Sequence, residues 1–164
     1  MYVREPGIEL MNDHVQYDSR ANTLAHIHLV RDHLDVFVAE MLKRGARHDA
    51  SKLTPAEKPA FDLVIPLLDG VPYGSPEYQA LVDRVKPAPE HHYSHNSHHP
   101  EHYGVRGIGG MDLFGLVEMI CDWMASARRR PEDGVKLSYN VELFGIEPQL
   151  ASILANTLAR WPRP

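Results

Sequence analysis

Cysteine is almost missing from this chain: Cys121 is the only one in 164 residues. No intrachain disulfide can form, and a zinc site built on several thiolates is excluded. A reducing compartment, the cytoplasm of a bacterial cell or a phage-infected host, is the simplest expectation. Basic charge is also in short supply. Seventeen Lys and Arg face twenty-two Asp and Glu, a net charge of −5 with histidine neutral. That leaves no electrostatic footprint for tight nucleic-acid binding. No run approaches the roughly 18 apolar residues that span a bilayer. The opening MYVREPGIEL has no apolar stretch of signal-peptide length. Alternating strand patterns and internal repeats are lacking as well.

Histidine is what the chain has in excess. Six of its eleven lie in one segment, EHHYSHNSHHPEHYG, from Glu90 to Gly104. Such crowding fits metal binding, pH sensing or a solvated polar stretch. Protonation near pH 6.5 would release any metal the histidines hold, so acid sensitivity alone does not separate the first two. With 43% hydrophobic and 24% charged residues, the composition is that of a globular domain of ordinary size.

The periodicity is helical throughout. Residues 1–18 read as an arm. From there Leu24, Ile27, Val30, Leu34, Phe37, Val38, Met41 and Leu42 recur at three- and four-residue steps, predicting a helix over Arg20 to Arg44. Ser19 reads as its cap and Gly45 as its stop. Thr54-Pro55-Ala56-Glu57 reads as a capping box opening a helix toward Leu68, weakened by Pro59 and Pro66. Ser75-Pro76-Glu77 opens another, reaching Lys86, with Pro87 and Pro89 interrupting it. The histidine segment reads as helical to Asn96 and turning near Pro100. GVRGIGG is a loop, and Asp112 caps a strong helix that Pro131 stops. Shorter helices follow near Leu137–Phe144 and Pro148–Arg160. The expectation is one all-α domain over residues 19–164. The apolar face of the last helix, Leu150, Ile153, Leu154 and Leu158, can pack internally or in a homo-oligomer.

Divalent metals take imidazole nitrogen and carboxylate oxygen gathered from several elements. Four places offer them: His26, His28 or His33 on the long helix; the pair His48-Asp49; the histidine segment; and Glu118 or Asp122, one turn apart. Asp122 sits in an otherwise apolar run, where a carboxylate needs a partner or a cavity.

The strings HLVRDH, HDASK, HHYSHNSHHPEHY and EMICDW, in this order between Ala25 and Trp123, resemble the HD-domain superfamily of metal-dependent phosphohydrolases. The likeness is closer to a phage and bacterial branch of unknown function (DUF5662-like). The resemblance implies a helical bundle of the HD type. It implies metal ligands His28 (with His26 as fallback), His48, Asp49 and Asp122. A second ion would add His92 and His99, with His91 and His98 the next choices. One or two ions of manganese, iron, nickel, cobalt, zinc or magnesium would serve. Such ions lower the pKa of bound water from 15.7 toward roughly 7. The attacked group would be the phosphate of a nucleotide or a related small metabolite. Some relatives carry a glutamate shortly after the doublet; here Ala50, Ser51 and Lys52 follow instead. Asp49, Lys52 and Glu118 are then the candidates for the catalytic role. Lys52, Arg47 and Arg128-Arg129-Arg130 are candidates to reach phosphate, and Tyr93, Tyr103 or Trp123 to stack on a base.

Each residue has a plainer reading. His28 can sit at a helix surface, His48-Asp49 in a turn, Asp122 in a buried ion pair, and Lys52 and the arginines in solvent. Glu118 can be a hydrogen-bond partner of a histidine ligand. Two other functions also fit the same residues: a di-iron oxygenase, or a non-catalytic metal or nucleotide sensor.

Overall fold

A computed structural model describes residues 17–128 and 134–162. Every regular element among them is helical, so the all-α expectation holds. The HD-type bundle that the resemblance implied is a finer statement, and these helices do not by themselves establish it. No described helix is long and apolar enough to cross a membrane.

The first helix, α1, spans Arg20–Arg47. Asp18 rather than Ser19 serves its start, its Oδ1 accepting from the Arg20 amide at 2.9 Å. Gly45 does not stop it. The described residues fall into two compact units, one ending at Val38 and the other beginning at Ala39. The division lies inside α1. The first unit's share of α1 is solvated: Leu24, Ile27, Leu34 and Val38 are all exposed.

In the second unit, proline sets most of the helix boundaries. A 3-10 turn at Ala50–Leu53 leads into α2, Lys58–Val64. Pro66 removes an amide from the next turn, so the chain tightens to 3-10 geometry at Ile65–Leu67 and α2 ends short of Leu68. Ser75 caps α3, Pro76–Asp83, accepting from the Tyr78 amide at 3.1 Å. That helix stops before Lys86. Pro87 and Pro89, expected as interruptions, instead lie in the first turn of α4, Pro87–His95. Proline is tolerated there because those amides have no intrahelical partner. After α4 the chain turns and runs in 3-10 turns through Pro100–Gly110. The expected loop is thus partly ordered, with Gly104 and Gly107 in positive-φ conformations between the turns.

Asp112 caps α5, Leu113–Arg128, its Oδ1 accepting from the Gly115 amide at 2.7 Å. Pro131, the expected stop, lies outside the described residues. Two helices follow, α6 at Leu137–Leu143 and α7 at Pro148–Arg160. Ile120 of α5, Ile146 and Leu154 of α7 form a buried core. Leu150 and Leu158 pack against it, while Ile153 stays 54% exposed. Most of the last helix's apolar face is therefore used internally. Trp123 also joins this core and stacks on Phe144, ring centroids 6.1 Å apart, so it is not free to take a base.

Burial sets the expected cost of truncating α7. Leu154→Ala should lower the unfolding free energy by about 2–5 kcal/mol in a urea titration. Ile153→Ala should change it by less than about 0.5 kcal/mol. Equal losses would contradict this packing.

Candidate metal centre

The site grows from the end of α1. The helix delivers His48, and the backbone then turns sharply. Asp49 has φ 57° and ψ 14°, the left-handed region. Asp and Asn tolerate that conformation better than other residues with a side chain, at a cost of about 1–3 kcal/mol. It is the only described non-glycine residue with positive φ.

Two glutamates form the outer layer. Glu57 is fully buried. Its Oε1 accepts from His91 Nδ1 at 2.7 Å, and its Oε2 from His92 Nδ1 at 3.0 Å and Ser51 at 3.1 Å. Burial pushes the Glu57 carboxyl up, and the hydrogen bonds from His91, Ser51 and His92 outweigh it, holding the group below the usual range. The capping box expected at Thr54–Glu57 is not made. Its glutamate serves the histidines instead.

Glu118 on α5 does the same for a second pair. Its Oε1 lies 2.9 Å from His48 Nδ1 and 3.2 Å from His98 Nδ1, and Arg44 Nη1 donates to Oε2 at 3.0 Å. Burial raises the Glu118 carboxyl; His48, His98 and Arg44 together bring it far below its ordinary value. With three partners and little exposure, Glu118 is placed to orient histidines. That placement favours the plainer reading of Glu118, as a hydrogen-bond partner of histidine ligands.

The consequence lies on the other side of each ring. A carboxylate only accepts, so each facing Nδ1 carries a proton, and in a ring that is neutral the lone pair is then left on Nε2. The Nε2 atoms then converge. His92 Nε2 is 2.9 Å from His99 Nε2 and 3.2 Å from Asp49 Oδ1. His98 Nε2 is 3.5 Å from the same oxygen. Asp49 Oδ1 and His98 Nε2 are buried without a hydrogen-bond partner. With Nδ1 protonated, neutral rings at His92 and His98 turn lone pairs toward a carboxylate oxygen, an arrangement that a cation would satisfy. The spacing suits one. Two atoms each about 2.1 Å from a cation in tetrahedral or octahedral geometry lie roughly 3.0–3.4 Å apart. The residues therefore fit a metal ion.

Among the described residues, the ligand-type atoms of Asp49, His92, His98 and His99 lie within 4.8 Å of one another. A second such group is His48, Asp49 and Asp122. Asp49 belongs to both. Its Oδ2 is 3.6 Å from His48 Nε2, which is 3.7 Å from Asp122 Oδ1. A third group, His48, His98 and Glu118, is the hydrogen-bonded outer layer already described. The two ligand groups differ in access. The side chains of His92 and His98 are 3% and 2% exposed, against 27% and 25% for His48 and Asp122.

The sequence-based candidates are thus sorted. His48, Asp49, His92, His99 and Asp122 fall into these groups. His98 joins them where it was only a second choice. His28, like His26 and His33, lies on α1 in the first unit, whereas all the residues of these groups lie in the second. Lys52 donates to Asp49 Oδ2 at 2.6 Å and is not a free surface charge. Arg47 and Arg128 are exposed, and Arg129 and Arg130 lie outside the described residues. Tyr93 sits edge-on to His99 at 5.0 Å, and the Tyr103 hydroxyl is committed to the Ser97 carbonyl at 3.1 Å.

The model of DUF5662, a family of unknown function, matches residues 15–160. The chain belongs to that family. No curated protein and no solved structure matches it.

The electrostatics favour cation entry. Burial first, and then His98 and His92, push the His99 imidazole down to about 3, which keeps it neutral as a ligand must be. The Asp49 carboxyl, raised by burial, is brought well below its usual range by His92 and Lys52. Asp122, also raised by burial, is lowered by its hydrogen bond with His48. His48 itself is pushed up to about 10, first by Asp122 and then by Glu118. Without a metal its ring is an imidazolium at neutral pH, and an ion bound through His48 Nε2 must expel that proton. Affinity at this group should therefore rise with pH up to about 10 and fall on acidification. Calorimetry at pH 7.5 in buffers of different ionisation enthalpy should read on the order of one proton released per ion bound there. No release would exclude His48 as a ligand.

Proposed function

We propose that this protein is a metal-dependent phosphohydrolase acting on a small phosphorylated metabolite, a nucleotide or a related compound. The observation that carries the reading is the position of Asp49 between two unlike ligand groups. One group is buried and supplies four protein ligands. The other is more exposed and supplies three, leaving room for water and a substrate oxygen as catalytic sites do. A divalent ion there supplies Lewis acidity, making water a nucleophile at neutral pH and neutralising charge on phosphoryl oxygens.

The chain's own residues do the rest. Asp49 holds the two groups in register, and its strained backbone fixes the direction of its carboxylate. Glu57 and Glu118 hold the imidazoles with Nε2 inward. His48 and Asp122 line the accessible side, where a substrate enters. Lys52, a third exposed, places an ammonium beside Asp49. There it can turn to a phosphate oxygen, adding a charge-assisted hydrogen bond. Tyr93 flanks the His99 side as an aromatic wall.

The test begins with elemental analysis of protein purified without an affinity tag. A panel of nucleotides and sugar phosphates is then assayed with the metal found. Phosphate release should require the ion and stop on chelation. Asp49→Asn keeps a residue that tolerates the left-handed backbone, so it should retain helicity while losing metal and more than about 100-fold of the activity. Iron-rich protein with a paramagnetic signature and no phosphate release would overturn the hydrolase reading in favour of oxygen chemistry. Stoichiometric metal without turnover on any ester would reduce the protein to a sensor.

A further inference from the structure

The Glu118 carboxylate is contacted on both oxygens, and by different kinds of partner. Arg44 Nη1 donates to Oε2 at 3.0 Å. His48 Nδ1 and His98 Nδ1 both face Oε1, at 2.9 and 3.2 Å. Arginine has five N–H donors and no acceptor. The atom opposite Arg44 must therefore be an acceptor, whatever stands at position 118. Arg44 is itself held. Its Nη1 reaches Ser97 Oγ at 3.4 Å, its Nη2 lies 3.9 Å from Asp112, and its guanidinium stands 5.7 Å from the Phe114 ring centroid.

We infer that Arg44 and Glu118 form a tautomer lock: Arg44 fixes the orientation of the position-118 side chain, and Glu118 sets the proton on Nδ1 of His48 and His98 together. Both rings are thereby turned Nε2-inward by one oxygen atom, and each feeds a different ligand group. His98 serves the buried group, and His48 the accessible one. Glu118 and Arg44 are positioning residues that never touch substrate. The inference rests on the metal reading above and extends it to the choice of ring nitrogen.

The lock has a consequence that simple charge removal lacks. In Glu118→Gln the side chain keeps its shape, but one oxygen becomes an NH2 group. Arg44 compels the carbonyl oxygen to stay on its side. The amide nitrogen must then face both Nδ1 atoms and present donors to them. Each ring can accept only by moving its proton to Nε2, and a protonated Nε2 cannot ligate. One atom's change should thus disable a ligand in both groups. With Arg44 also replaced by methionine, the amide is free to flip. Its oxygen can then return to the histidines.

Zinc alone serves as the probe, because it is diamagnetic and needs no substrate. Glu118→Gln should weaken zinc binding by about 100-fold or more in calorimetry, at the upper end for an outer hydrogen-bond partner. The double variant Arg44→Met/Glu118→Gln should recover to within about tenfold of the wild type, with circular dichroism checking the fold of each. Unchanged affinity in Glu118→Gln, or a double variant as weak as the single, would overturn the lock. Ring 15N shifts of His98 in the metal-free protein give an independent measure. The wild type should show Nδ1 protonated and Nε2 bare, and Glu118→Gln the reverse. A wild type protonated on Nε2 would refute the lock whatever the metal result. Wild-type protein that binds no divalent ion would instead refute the metal reading, with the 15N shifts still deciding the lock.

Discussion

A carboxylate can accept hydrogen bonds and cannot donate them, and the centre of this protein depends on that asymmetry. Glu57 and Glu118 are placed behind four imidazoles, His91 and His92 on one, His48 and His98 on the other. Their position decides which ring nitrogens carry protons. The lone pairs left over on His92 and His98 turn toward Asp49, whose own oxygen is a further acceptor. Buried acceptors facing one another cost several kcal/mol unless a positive charge joins them. The acidic and imidazole groups of the centre are thus arranged so that they could hold a cation.

The fold serves that requirement through tight approaches and short elements. α4 is only nine residues long, and it ends at Asn96, whose side-chain amide donates to the His92 carbonyl at 2.8 Å. His98 and His99 follow in non-helical backbone, where adjacent side chains are not forced onto different faces of a cylinder. Both then reach the ligand group that His92 enters from within the helix. The hydrophobic core around Ile120, Ile146 and Leu154 sits beside this centre on α5. It anchors the helix that carries Glu118 and Asp122. Stability and chemistry thus share one helix, with different turns assigned to each.

Much of this was legible in the sequence, for physical reasons. Helical periodicity announced the all-α fold, and most helix starts carried a readable cap or proline. The doublet His48-Asp49 and the lone Asp122 in an apolar run stood out, because ionisable groups in such settings need partners. What stayed hidden depended on tertiary contact. Glu57 reads locally as a cap and is taken instead by histidines thirty-four and thirty-five residues away. His98 stood behind His99 as a candidate, since the choice rests on where α4 ends. Arg44 looked like an ordinary cation at a helix C-terminus, and only its contact with Glu118 gives it another role. Gly45 carried a stop signal that the helix overrode. His28 entered through the family likeness, and it lies in the other unit from the ligand groups.

α5 comes close to the histidine segment at Gly115. A β-carbon there would stand 3.1 Å from the Ser97 carbonyl oxygen. This glycine lies one helical turn before Glu118, and Ser97 directly precedes His98. A side chain at that point would demand a shift of a few tenths of an ångström close to where the glutamate and the imidazole meet. The smallest residue in the protein thus acts as a spacer of zero thickness, and the donor atoms at the centre keep their alignment only while it stays bare.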